Sequence, residues 1–138
     1  MDPADFLNVA DQFQASPFEA ERRTSVGRSY YALYNVLFAF LSSRGVLFEN
    51  GGRDHWWLVY YLTNCPHRQA ARIGAALRDL RILRIDADYH MNVAINPPQS
   101  QLAYRQAGNA VNRFKGLQAA DLQNIVQLIN ALPQHPAT

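Results

Sequence analysis

Arg28 and Asn35 lie seven residues apart, a spacing that returns to nearly the same face of an α-helix. Tyr31 and Ala32 fall between them on that face, with Thr24 one turn before and Ser42 further on. A guanidinium offers a planar fork of donors to phosphate or carboxylate oxygens. An amide donates and accepts hydrogen bonds but exchanges no proton near neutral pH. The row Thr24–Arg28–Asn35–Ser42 is therefore either a phosphate or nucleotide site with Arg28 as the anion ligand, or a hydrogen-bonded seam within the fold or between subunits. Arg84 and His90, with five residues between them, form a second candidate pair. On a continuous helix their side chains diverge by about 120°, whereas a helix end near Asp88 would bring them together. The simpler alternative is an ion pair of Arg84 with Asp88 at i,i+4. His55 is a further candidate acid or base, or else a local cap at a helix start.

These residues need a scaffold, and the apolar periodicity is helical throughout. Residues 5–14 carry Phe6, Leu7, Val9, Ala10 and Phe13 at helical spacing. Ser16, Pro17 and Glu19 have the pattern of a capping box with proline at the first helical position. A helix is therefore expected over residues 17–43, ending at Gly45. Its rows Val26–Tyr30–Leu33–Leu37–Phe40 and Tyr34–Phe38–Leu41 make a stripe wide enough to meet several partners. A loop with Asn50-Gly51-Gly52 as its turn signal leads to a third helix from about Asp54 to Asn64. A fourth is expected over residues 67–84, and residues 86–96 fit no element clearly. Asn96-Pro97-Pro98 is expected to end whatever precedes it. The last helical region, residues 100–132, changes phase between Gly116 and Asp121, so a kink or break belongs there. The expectation is an all-α bundle of four to six helices without a sheet, one domain over residues 1–132 and a tail over 133–138.

The 138 residues suit one hydrophobic core. Half of them are apolar and the charged fraction is ordinary, so disorder is not the default. Seven Phe, seven Tyr and two Trp are mostly expected in that core. Cys65 is the single cysteine, which excludes an internal disulfide and fits a reducing cytoplasm. No signal peptide or membrane-length apolar run appears. A net charge of +2 argues against a general nucleic-acid coat. Twelve of the thirteen basic residues are arginine, which serves RNA recognition or reflects a GC-rich genome. No His/Cys cluster has metal-ligand spacing, no Gly-rich phosphate loop is present, and no cofactor is implied.

The segment Arg28-Ser-Tyr-Tyr-Ala-Leu-Tyr-Asn35 resembles the Arg-x-Tyr-Tyr-Ala-x-(Phe/Tyr)-His segment of a prokaryotic branch of the HEPN superfamily. Leu80-Arg81-Ile-Leu-Arg84-Ile-Asp-Ala87-Asp88-Tyr89 resembles that branch's downstream Leu-x-x-x-Arg-x-x-Ala-Asp-Tyr element, and Asp54-His55 a third, weaker position. The resemblance covers residues 22–90, about half of the chain. It implies a helical bundle that dimerises so that paired Arg-x(4–6)-His motifs face one another, as in metal-independent ribonucleases of toxin–antitoxin or defence systems. Arg28 falls on the Arg position and Asn35 on the His position. Losing the acid or base there would cost roughly 10²–10⁴-fold in rate. The resemblance thus implies RNA or nucleotide binding by Arg28, Tyr31, Asn35, His55, Arg81 and Arg84, with weak or lost cleavage. Alternatives are an active endoribonuclease using Arg28 and Arg84 with His90 or His55 as acid/base, or a non-catalytic dimerisation or partner-binding module. Asp88 and Tyr89 are expected to be structural. The expected partners are a second copy of the chain, RNA or a nucleotide, and a nucleotidyltransferase-like companion, with no membrane.

Overall fold

A computed structural model describes residues 1–134. The end of the expected tail, residues 135–138 with His135, lies outside the described residues. Asp2 accepts a hydrogen bond from the Ala4 N–H at 2.9 Å and opens a 3₁₀ turn, Pro3–Asp5. Six α-helices follow among the described residues: α1 Phe6–Phe13, α2 Glu19–Ser43, α3 Asp54–Thr63, α4 Arg68–Tyr89, α5 Pro97–Lys115 and α6 Ala119–Asn130. The described residues form no strand, so the expected all-α bundle is what the chain makes.

The long helix α2 is the axis of the bundle, packed against α1, α4 and α5, while α3 lies against α4. Its wide apolar stripe explains this placement. Val26, Tyr30, Leu33, Leu37 and Leu41 are fully or almost fully buried, because a stripe this wide is covered by several neighbouring helices at once. The core continues through Leu58 and Tyr61 of α3, Ile73, Leu77 and Leu80 of α4, Ala103 and Ala107 of α5, and Ile125 and Ile129 of α6. Gly74 brings α3 and α4 together: a Cβ there would lie 2.7 Å from Leu62 Cβ and 2.9 Å from the Thr63 backbone nitrogen. No described helix is long and apolar enough to cross a membrane.

Three boundaries differ from the sequence expectation, the first two through tertiary contacts and the third through a local cap. First, α2 begins at Glu19 with Phe18 as its N-cap, not at Pro17. Ser16 Oγ accepts from the Phe18 N–H at 3.1 Å and donates to Glu21 at 2.5 Å. The Glu19 carboxylate, expected to close a capping box, instead accepts the Ile95 N–H at 3.0 Å and the Arg23 guanidinium at 2.9 Å. Second, α4 runs five residues beyond Arg84, to Tyr89. Arg23 of α2 donates to the carbonyls of Asp86 and Ala87 at 3.0 and 2.9 Å, adding to the His90 N–H that already reaches Asp86 and placing a cation at the helix C-terminus. Third, Asn96-Pro97-Pro98 starts a helix: the Asn96 N–H donates to Gln99 Oε1 at 2.7 Å and Pro97 takes the first helical position. The expected end of α2 at Gly45 holds, with φ +83°, and so does the break between Gly116 and Asp121.

Candidate functional site

Between α2, α3 and α4 lies a cavity of about 450 Å³, within the usual range for small-molecule sites. Tyr31 of α2, Gly52 of the preceding loop, His55 of α3, and Arg81, Arg84, Ile85 and Tyr89 of α4 line it. Three helices and a loop therefore converge on one space.

Arg84 is its most constrained member. Nε lies 2.8 Å from Asp88 Oδ2 in the i,i+4 ion pair expected from the sequence. That contact is close but poorly aligned, and Nε has no hydrogen-bond acceptor among the described residues. One terminal nitrogen donates to the Tyr31 hydroxyl at 2.7 Å. The rings of Tyr31, Tyr89 and Tyr30 surround the guanidinium carbon at 5.0, 5.3 and 5.9 Å. Burial would weaken its hold on its proton, but Tyr31 and Asp88 outweigh that and raise its pKa above the ordinary value. Arg81 is half-buried and has no ion pair or hydrogen bond among the described residues. The wall thus carries two cations, with Asp88 beside one of them.

His55 sits at the start of α3, and the neighbouring loop is fixed around it. Asp54, almost fully buried, accepts the Glu49 and Gly51 N–H groups at 2.7 and 3.1 Å, which holds Asn50 in the left-handed region at φ 62°. The imidazole stacks on Tyr34 at 4.2 Å, and its Nδ1 meets the Tyr30 hydroxyl at 2.6 Å. Burial first, and then the charges of Arg84 and Arg81, push its pKa below the ordinary 6.5, with Asp54 opposing them. At neutral pH the ring is uncharged. Desolvation of the stacked Tyr34 phenol raises its pKa to about 12, so it too stays neutral.

The structure brings four of the sequence candidates, Tyr31, His55, Arg81 and Arg84, to this cavity together with Tyr89. Arg28 and Asn35 are not on its wall. Arg28 lies half-buried over the rings of Phe6 and Tyr31, at 5.2 and 5.8 Å. Asn35 is half-buried without a hydrogen bond among the described residues. Thr24 and Ser42, at the ends of the polar row, donate back to Ala20 and Phe38 of their own helix at 3.1 and 2.7 Å. His90 pairs with Asp86 at 2.7 Å at the end of α4, off the cavity wall. Asp88 holds Arg84, and Tyr89 is two-thirds exposed.

Sequence reasoning passed over Tyr30, Tyr34, Gly52, Ile85 and the clasp made by Asp54. The Asn50-Gly51-Gly52 turn followed by Asp54 was the available signal for the clasp. Nothing in spacing alone pairs Tyr30 with His55, since they are 25 residues apart. No group of potential metal ligands occurs among the described residues. The arrangement can hold an anionic group between two guanidiniums and a flat group against the tyrosines. No family model matches the chain, and no curated protein or solved structure matches it either.

Proposed function

We propose that the chain is a HEPN-like, RNA- or nucleotide-associated protein whose cavity between α2, α3 and α4 holds a phosphate group. The observation that carries this reading is the placement of Arg81 and Arg84 on one wall, beside Tyr31, Tyr89 and a neutral His55. Guanidinium forks match phosphate oxygens, and tyrosine faces accept a base or sugar. The HEPN resemblance supplies the wider context: a cytoplasmic dimer of a toxin–antitoxin or defence type system, with a nucleotidyltransferase-like companion. Because Asn35 stands where that family places its histidine, cleavage is weak or lost. Exposed apolar side chains at Ile82, Tyr89 and Met91, of which Tyr89 lines the cavity, support self-association.

The test is incubation of the purified protein with a mixed tRNA and mRNA pool in EDTA, with Arg84→Ala alongside. The expected result is intact RNA retained by the wild type and released by the variant. EDTA-resistant cleavage lost in Arg84→Ala would make the protein an active nuclease. Absence of both retention and cleavage would remove RNA from the proposal. Light scattering at micromolar concentration should show a dimer; a monomer would end that part of the reading.

A further inference from the structure

Tyr30 is wholly buried, and its hydroxyl has a single hydrogen-bond partner among the described residues, His55 Nδ1 at 2.6 Å. Either group could in principle donate, and the surroundings decide which one does. Burial pushes the phenol's ionisation far above its ordinary range, so Tyr30 keeps its hydrogen. A buried hydroxyl hydrogen without an acceptor is costly, and Nδ1 is the acceptor it has. Nδ1 therefore uses its lone pair, and the hydrogen of the neutral ring belongs on Nε2. Nε2 has no partner among the described residues, and the ring lines the cavity beside Arg81 and Arg84.

The geometry points to Tyr30 as a positioning residue that locks His55 in its neutral Nε2–H form, so that the cavity grips an anionic oxygen with a fixed hydrogen-bond donor and exchanges no proton with it. This rests on the phosphate-binding reading for the ligand, and on the Tyr30–His55 contact for the lock. A proton added at Nδ1 would set two hydrogens against each other across 2.6 Å. The phenol would then have to turn its hydrogen into an apolar interior. The groups facing His55 agree with this. From α2 come the rings of Tyr30, Tyr31 and Tyr34. From α4 come the charges of Arg81 and Arg84, which repel a third cation. Asp54, the carboxylate on α3 beside it, already serves the Glu49 and Gly51 N–H groups. An incoming anion would ordinarily draw a proton onto a histidine, and here the buried phenol opposes it. His55 is then unsuited to acid/base work, and the same cavity that binds a phosphodiester leaves it intact.

The experiment is a long-range proton–nitrogen NMR spectrum of the full chain, recorded with and without sulfate, whose own charge is constant over the range used. As the pH falls from about 7.5 to about 5.5, across the ordinary histidine range, His55 should keep a protonated Nε2 and an unprotonated Nδ1 to lower pH than a free histidine does, and sulfate should perturb Nε2. Tyr30→Phe, checked for folding by circular dichroism, should let the His55 nitrogens mix tautomers or titrate in that window. A wild-type spectrum with hydrogen on Nδ1, or one that titrates like a free histidine, would overturn the lock without any variant. The expected tautomer with no response to sulfate would instead overturn the anion site and leave the lock standing.

Discussion

Two regions of this molecule place arginine against aromatic rings, and they come to different ends. Along α2, the row Thr24–Arg28–Asn35–Ser42 belongs to one helix, and its hydroxyls are spent on carbonyls of that helix. Arg28 has aromatic neighbours but does not reach the cavity. At the other region, Arg81 and Arg84 of α4 meet Tyr31 of α2, His55 of α3 and Gly52 of the loop around a shared space. Both regions set a guanidinium over the ring of Tyr31. What differs is convergence: side chains from separate elements enclose a volume, whereas a row on one helix presents only a surface. A site able to exclude water and fix a ligand needs the first arrangement.

The comparison is most strongly tested where α3 meets α4. Gly74→Ala puts a Cβ within 3.0 Å of two α3 backbone atoms, so the helices must move apart. Overpacking of that kind costs about 3 kcal/mol, read by urea unfolding. Gly27→Ala on α2 meets Asp88 Oδ1 at an ordinary 3.8 Å and should be neutral or stabilising by about 0.5–1 kcal/mol from helix propensity. Equal losses at the two positions would contradict the packing account.

A smaller effect is expected from Asp54→Ala, which leaves the Glu49 and Gly51 N–H groups without their acceptor. The loss should be about 1–3 kcal/mol, and Asp54→Asn, which keeps one acceptor oxygen, should lose less. If the two variants were equally stable, the loop beside Gly52 would not depend on this clasp.

The smallest effect is a dependence on pH. His55 holds its pKa below the ordinary 6.5 in the folded chain, so the unfolded chain binds the proton first as pH falls. Unfolding then takes up protons, and this part of the stability is present above pH 6.5 and is lost on acidification through the folded pKa. His55→Gln should show a shallower decline in urea midpoint just below that pH. The window lies above that of Glu19, whose carboxyl is held below its ordinary 4.5 by the Ile95 N–H and Arg23. An unchanged slope in the variant would show that His55 titrates alike in both states.

Much of the fold was legible because helical periodicity, Gly45 and the phase change after Gly116 are local signals. Two of the misplaced boundaries are set from a distance, whereas the start of α5 rests on Asn96 and Gln99, three positions apart. Glu19 looked like a capping residue but serves Ile95, 76 positions away, and Arg23 completes an α4 end more than 60 positions away. The site divides in the same way. Arg84 with Asp88 was readable at i,i+4, and Arg28 with Asn35 stood out because their spacing is visible in the sequence. The pairing of Tyr30 with His55 and of Tyr31 with Arg84 depends on how α3 and α4 pack on α2, which no local pattern encodes.

The most direct test of the account sets the two arginine regions against each other in one titration. Binding of a fluorescent single-stranded RNA oligonucleotide would be measured for the wild type, Arg84→Ala, Arg81→Ala and Arg28→Ala at a fixed salt concentration. The convergent cavity predicts that Arg84→Ala and Arg81→Ala each weaken binding by about tenfold, or about 1.4 kcal/mol, while Arg28→Ala stays within roughly threefold. Loss concentrated in Arg28→Ala, with both cavity variants binding normally, would move the site to the α2 row and contradict the account.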